Sequence, residues 1–177
     1  TDLKGQNRTL LQAYTIFSIH TVLPLRNDLA GMISLPKRMY NKLSETDKKE
    51  HNYLVVEKNK MWFVLNKYKT SKKYEELMIP ISKNLEKTIR IYLRINGSGV
   101  LFQTSTGNPI TRNALSQLLI KYSKKYMNKN ISTTMLRKIV LSDKFSDLKK
   151  EQKEMSKITG HSVETMNNVY VKEEQKH

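Results

Sequence analysis

The chain has 177 residues, which is enough for one compact domain with its own core. It contains no cysteine, so a disulfide framework and a thiolate metal site are excluded, and no apolar run or basic leader indicates a membrane span or secretion. The lack of cysteine is compatible with an intracellular, reducing setting, which is the localisation we expect. The 32 Lys and Arg residues against 16 Asp and Glu residues give a formal charge of +16, an excess that indicates a nucleic-acid partner. A Lys-rich composition set by an AT-rich genome would also produce this excess.

The first predicted elements are helical. Apolar side chains recur at helical spacing over residues 8–19. Pro24 is expected to open a second helix over residues 25–34, because proline is tolerated in a first helical turn. The polar, lysine-rich residues 36–50 predict a helical turn and a loop.

Three β-rich runs follow. Residues 53–56 and 61–65 are rich in Val, Tyr, Trp and Phe and are separated by a polar turn, and residues 77–81 form a third run. They predict a small antiparallel sheet in the N-terminal half of the chain. Pro80 cannot donate to a strand ladder, so the third strand is expected at an edge.

The second half of the chain predicts mainly helices. An apolar stripe over residues 85–93 ends at Asn96 and Gly97, and a short strand is expected at residues 100–102. Thr111 is expected to cap the next helix. Its predicted apolar face carries Leu115, Leu118, Leu119, Tyr122 and Tyr126, and its opposite side carries Lys121, Lys124, Lys125 and Lys129.

The last predicted helices cover residues 133–141, 148–158 and 163–170. Gly160 stands where a glycine often ends a helix, and Ser162 can cap the final one. The fold class is therefore mixed α/β and mainly helical. We expect one domain over residues 1–170 and a charged C-terminal tail over residues 171–177.

Common cofactor and metal sites do not fit the sequence. Gly97-Ser98-Gly99 lacks the third glycine and the strand–helix context of a phosphate-binding loop. The carboxylates are scattered among lysines, and the four histidines do not have metal-ligand spacing. We expect no cofactor and no metal.

Five residues in short local motifs carry a resemblance to a known family. They are Arg26 in Pro-Leu-Arg-Asn-Asp-Leu, Lys69 in Tyr-Lys-Thr, Arg137 in Thr-Met-Leu-Arg-Lys, His161 in Thr-Gly-His-Ser and Tyr170 in Asn-Asn-Val-Tyr. In this order they resemble the active site of the tyrosine recombinase (phage integrase-like) family, most closely the enzymes of virophages and giant DNA viruses. The spacing Gly-His-Ser-x7-Tyr is the most specific part.

The resemblance implies a metal- and ATP-independent enzyme that cuts and rejoins DNA. Arg26 and Arg137 would grip the nonbridging oxygens of the phosphate, and His161 would add a third donor. Tyr170 would attack to form a 3′-phosphotyrosine. Lys69 would protonate the departing 5′ oxygen, with Lys67, Lys72 and Lys73 as rival candidates.

The sequence departs from the family in two places. The family's His-x-x-Arg reads Thr134-Met135-Leu136-Arg137, and threonine cannot act as a general base near neutral pH. The phenol proton would then leave through water or Lys138. The acidic residue that supports the first arginine falls at Asp28, which is displaced from the usual spacing but could still orient Arg26 or His161.

The remaining predictions concern partners. Double-stranded DNA is the expected ligand, with phosphate contacts from Arg112, Lys121, Lys124 and Lys125. The family implies a homotetramer on DNA, and we expect a monomer without it. An N-terminal DNA-binding domain is expected to precede Thr1.

Two other functions remain open at this point. A type IB topoisomerase shares the phosphotyrosine chemistry. A non-catalytic basic DNA-binding module would need only the surface charge, and any one of these arginines, histidines or tyrosines taken alone is more often a surface or packing residue.

Overall fold

The computed structural model describes residues 5–68, 76–160 and 162–165. By internal contacts the chain divides into two units, Thr1–Arg137 and Lys138–His177. No helix within the described ranges is both long enough and apolar enough to cross a membrane. The chain is mixed α/β, with more helix than strand.

Six α-helices are described. Their bounds are α1 Gly5–Val22, α2 Lys37–Tyr40, α3 Glu45–Glu50, α4 Lys83–Asn96, α5 Arg112–Met127 and α6 Thr133–Thr159. A 3-10 turn, Asn27–Leu29, follows α1. The predictions for α1, α4 and α5 are confirmed. Thr111 caps α5 by accepting from the N–H of Ala114 at 3.2 Å, and Gly97 ends α4 with a φ of 80°.

One five-stranded sheet lies in the first unit. Its strands are β1 Ile33–Pro36, β2 Tyr53–Val56, β3 Met61–Leu65, β4 Leu77–Pro80 and β5 Gly99–Val100, in the spatial order β4-β3-β2-β1-β5. β2 and β3 have the predicted bounds, and Pro80 lies in an edge strand as expected. The three predicted strands pair antiparallel as expected. The expectation that the whole sheet is antiparallel is wrong, because the sheet has two further strands and β1 pairs with β2 in parallel.

The predicted helix over residues 25–34 is also wrong. Only Asn27–Leu29 is helical, and Gly31 adopts a left-handed φ of 70° that turns the chain into β1. The predicted strand at residues 100–102 is instead Gly99–Val100, paired antiparallel with β1.

Two expectations about the last helices are corrected. Residues 142–147 were expected to separate two helices, but α6 runs through them, since they contain neither proline nor glycine. Tyr126 was expected on the buried face of α5 but is 59% exposed. Ser123 is buried in that face instead, where its hydroxyl accepts from the N–H of Ile131 at 3.0 Å.

The core of the first unit covers both faces of the sheet. On one face Tyr53, Val55 and Val64 pack with Tyr40 of α2. The alternate residues of these strands lie on the opposite face of the sheet, and among them Leu54 and Phe63 are fully buried. α1 contacts both α4 and α5, so it lies between the two in the packing of the first unit.

The second unit is described only through residue 165. It contains α6 from Lys138 onward, and Gly160 follows that helix with a φ of 66°, as expected for a C-terminal glycine. The hydroxyl of Ser162 accepts from the N–H of Thr165 at 3.0 Å, which confirms the predicted cap. The rest of the predicted helix 163–170 lies outside the described residues.

Candidate functional site

Four separate segments of the first unit converge on one cavity of about 570 Å³. They are the turn after α1, the end of β3, the start of α5 and the first turn of α6. The described lining residues are Arg26, Asn27, Asp28, Lys67, Tyr68, Arg112, Thr133, Thr134 and Arg137. Cationic side chains therefore come from all four segments.

The turn after α1 fixes Arg26 at the cavity. Leu29 is fully buried and Asp28 is 7% exposed, so the Asn27–Leu29 turn is anchored in the core while Arg26 stays exposed. The backbone N–H of Arg26 donates to Oδ2 of Asp28 at 3.2 Å. The carboxylate thus holds the backbone from which the arginine projects.

A buried asparagine joins this turn to the end of β3. Nδ2 of Asn52 donates to the carbonyl oxygens of Asp28 and Lys67, each at 3.0 Å. Its Oδ1 accepts from the N–H groups of Asn66 at 2.9 Å and Lys67 at 2.8 Å. One side chain therefore sets the separation of two walls of the cavity.

The other two walls are helix starts. Arg112 is the first residue of α5, and Thr133 is the first residue of α6. Arg137 follows Thr133 by four residues and so lies one turn farther along the same side of α6. The N-terminus of a helix carries partial positive charge, so the starts of both helices add to the positive potential of the cavity.

The electrostatics of the cavity favour an anion. Among the described lining residues, Asp28 is the only carboxylate against the four cations Arg26, Lys67, Arg112 and Arg137. Lys67 pairs with Glu50 at 3.4 Å on the surface, whereas none of the three arginines forms an ion pair within the described ranges. With respect to the described residues, the three guanidinium groups are therefore available to a ligand.

Asp28 responds to this environment. Burial raises the pKa of its carboxyl above the ordinary value. The N–H of Arg26 and the guanidiniums of Arg112, Arg26 and Arg137 oppose that rise, with Arg112 the strongest of the three charges. All three arginines are therefore near enough to act on one carboxylate.

The predicted site residues divide into three groups. Arg26, Arg137, Asp28 and Thr134 line the cavity together, and so does Arg112, which was predicted as a phosphate contact alongside the lysines of α5. Lys138 is exposed and belongs to the second unit. Lys69, His161 and Tyr170 lie outside the described residues, although Lys67 and Tyr68, which immediately precede Lys69, line the cavity. Lys69 also stands in the connection between β3 and β4, which pair antiparallel as in a hairpin.

The lysines of α5 lie on a separate surface. Lys121, Lys124 and Lys125 are exposed, as predicted. Lys121 lies 5.9 Å from the ring of Tyr122 and Lys125 lies 5.2 Å from that of Tyr126, and the two rings are stacked with centroids 6.2 Å apart. This surface therefore combines exposed positive charge with stacked aromatic rings.

Sequence reasoning missed Asn52, and it considered Lys67 only as a rival to Lys69. An asparagine before a strand is also typical of a turn, so no signal in the sequence indicates the four hydrogen bonds of Asn52, which form a brace between the two cavity walls. Within the described parts of the chain there is no group of three or more His, Asp or Glu residues that could hold a metal ion.

No protein-family model matches the chain, and comparisons with curated proteins and with solved structures find no significant similarity.

Proposed function

We propose that the chain is the catalytic domain of a tyrosine recombinase, a DNA integrase that cuts and rejoins strands through a 3′-phosphotyrosine. The observation that carries this proposal is the convergence of Arg26 and Arg137, which are far apart in sequence, on one cation-rich cavity. The cavity is of a size and charge to receive a backbone phosphate of double-stranded DNA. The recombinase fold, with residues 1–170 as catalytic domain and 171–177 as tail, is part of the proposal.

The proposed reaction uses these groups in one exchange at phosphorus. The phenol oxygen of Tyr170 forms a bond to the phosphate while the bond to the 5′ oxygen breaks. The phenol proton passes to water, and Lys69 gives a proton to the departing 5′ oxygen. Arg26, Arg137 and His161 stabilise the negative charge that grows on the nonbridging oxygens. Rejoining reverses these steps with a new 5′ hydroxyl, so no external energy source is needed.

The partner proposals follow from the same reaction. Strand exchange between two duplexes requires four active sites, so we propose a monomer that assembles into a tetramer on DNA. A type IB topoisomerase is the alternative enzyme, and it would relax supercoiled circles as a monomer instead of exchanging strands.

The non-catalytic DNA-binding module is the alternative from another class. The exposed lysines of α5 support it as much as they support the enzyme. The enzyme is favoured by the buried Asp28, on which the charges of three arginines act together. A protein that binds only the charge of the DNA backbone does not need several cations near one point.

The test is a covalent trap. The protein is incubated with a pool of nicked duplexes that carry randomised sequence around the nick, so that cleavage releases a short fragment and prevents rejoining. We expect a denaturant-resistant protein–DNA band that disappears in Tyr170→Phe and persists in Tyr14→Phe, a matched change at a tyrosine that is 58% exposed on α1. No band from the wild type, or an unchanged band from Tyr170→Phe, would reject the enzyme.

A further inference from the structure

We propose that Arg112 contacts the same phosphate as Arg26 and Arg137, as a third catalytic guanidinium that compensates for the threonine at position 134. This inference rests on the proposed function and adds a residue to its site. Its first support is position: Arg112 lines the cavity together with both arginines and with Thr134 itself.

The direction of Arg112 separates it from the other cations of α5. Successive residues of an α-helix differ by roughly 100°, so Arg112 and Lys121 lie on roughly opposite sides of the helix. Lys121 borders a different groove, which it shares with Arg8 of α1 and Tyr122. Arg112 therefore belongs to the arginine cavity and not to the lysine surface.

The setting of Arg112 matches a ligand contact better than a structural role. Its side chain is exposed, and within the described ranges it has no ion pair or hydrogen bond that ties it to the fold. Of the three arginines it exerts the strongest charge effect on the buried Asp28. It also starts a helix of 16 residues, and the N-terminus of a helix carries partial positive charge.

The chemistry explains what Arg112 would supply. Thr134 offers one neutral hydroxyl, whereas a guanidinium offers charge and a planar pair of donors that fit two phosphate oxygens. A guanidinium cannot accept the proton of Tyr170. The site thus recovers charge stabilisation but not a general base, and the rate of attack should rise with pH as hydroxide becomes available to take the phenol proton.

The experiment uses the substrate recovered from the covalent trap, under single-turnover conditions with saturating DNA. Arg112→Gln should slow adduct formation by about 10²- to 10³-fold, the cost of one donor to a transition-state oxyanion. Arg112→Lys should fall between this variant and wild type. Arg94→Gln, the same change at an exposed arginine in the last turn of α4, should leave the rate unchanged.

A second substrate separates a phosphate contact from a structural effect. When the scissile phosphate is replaced by a neutral methylphosphonate, the transition state carries less charge and needs one guanidinium fewer. The deficit of Arg112→Gln should then shrink to a small factor.

A wild-type rate in Arg112→Gln, or an equal deficit on both substrates, would overturn the role of Arg112 while the recombinase assignment stands. Failure of the wild type to form any adduct would overturn both.

Discussion

Replacing Asn52 with alanine should destabilise the first unit by several kcal/mol. Its side chain makes four hydrogen bonds, to the carbonyls of Asp28 and Lys67 and from the N–H groups of Asn66 and Lys67. Asn52 is 6% exposed, so water does not readily replace all four partners. The same change would also release the two cavity walls from each other.

The magnitude follows from the burial of each bond. The bond to the carbonyl of Asp28 is buried, and an unsatisfied buried acceptor costs about 1–3 kcal/mol. The other three bonds are partly buried and are worth about 0.5–1.5 kcal/mol each. With partial access of water to the space left by the amide, the sum is about 3–5 kcal/mol, or a fall of roughly 10 °C in Tm for a chain of this size.

The assay is thermal and urea unfolding of wild type, Asn52→Ala and Asn59→Ala. Asn59 is an exposed residue of the turn between β2 and β3, so its replacement should change stability by no more than about 0.5 kcal/mol. Asn52→Asp should also be destabilising, because the carboxylate oxygen that replaces Nδ2 would face the carbonyl oxygens of Asp28 and Lys67. Equal Tm values for Asn52→Ala and Asn59→Ala would refute the proposed brace.

Three further outcomes are expected. Tyr92→Phe should lower the free energy of unfolding by only about 1 kcal/mol in a urea titration. The buried hydroxyl lies 2.8 Å from both Oε1 of Gln12 and the carbonyl oxygen of Leu101, but each of these acceptors keeps another donor in the variant. A loss as large as that of Asn52→Ala would contradict this expectation. Burial lowers the pKa of His20, so the unfolded chain takes up a proton below about pH 6.5 that the folded chain does not. The free energy of unfolding should therefore fall as pH decreases from about 7.5 to about 5.5, and it should fall less in His20→Asn. Equal slopes of unfolding free energy against pH in wild type and variant would disprove the effect. The third change replaces the exposed lysines of α5 together with glutamine, at Lys121, Lys124 and Lys125. If each lysine contacts one phosphate, the slope of log Kd against log salt concentration should fall by roughly 2.7. An unchanged slope would show that the DNA binds elsewhere.

The elements with local signals, among them α4, α5, β2 and β3, were the most predictable part of the fold. The apolar repeat of α4 and the cap at Thr111 depend only on neighbouring residues. The strand β1 was not predictable in this way. It is only four residues long, and Pro24 upstream of it also suits the start of a helix. The strand is stabilised by parallel pairing with β2, about 20 residues later in the chain.

The site residues that could be predicted are those whose side-chain type itself indicates a chemical role. Arg26 and Arg137 were chosen from motifs, and the structure brings both to one cavity. Arg112 was predicted only as one of several phosphate contacts of α5, because the sequence indicates which residues are charged but not that the start of α5 lies against the turn after α1. Asn52 was missed for a similar reason, since its partners are backbone groups of two distant segments.

The central claim is that a phosphate held by the arginine cavity is attacked by Tyr170, one of nine tyrosines in the chain. The most direct measurement is to isolate the covalent adduct, digest it with trypsin and a nuclease, and locate the attached nucleotide by mass spectrometry. The proposal predicts the nucleotide on the peptide of residues 158–172, which contains Tyr170 as its one tyrosine. A nucleotide on any other residue, or DNA that dissociates fully in denaturant, would contradict it.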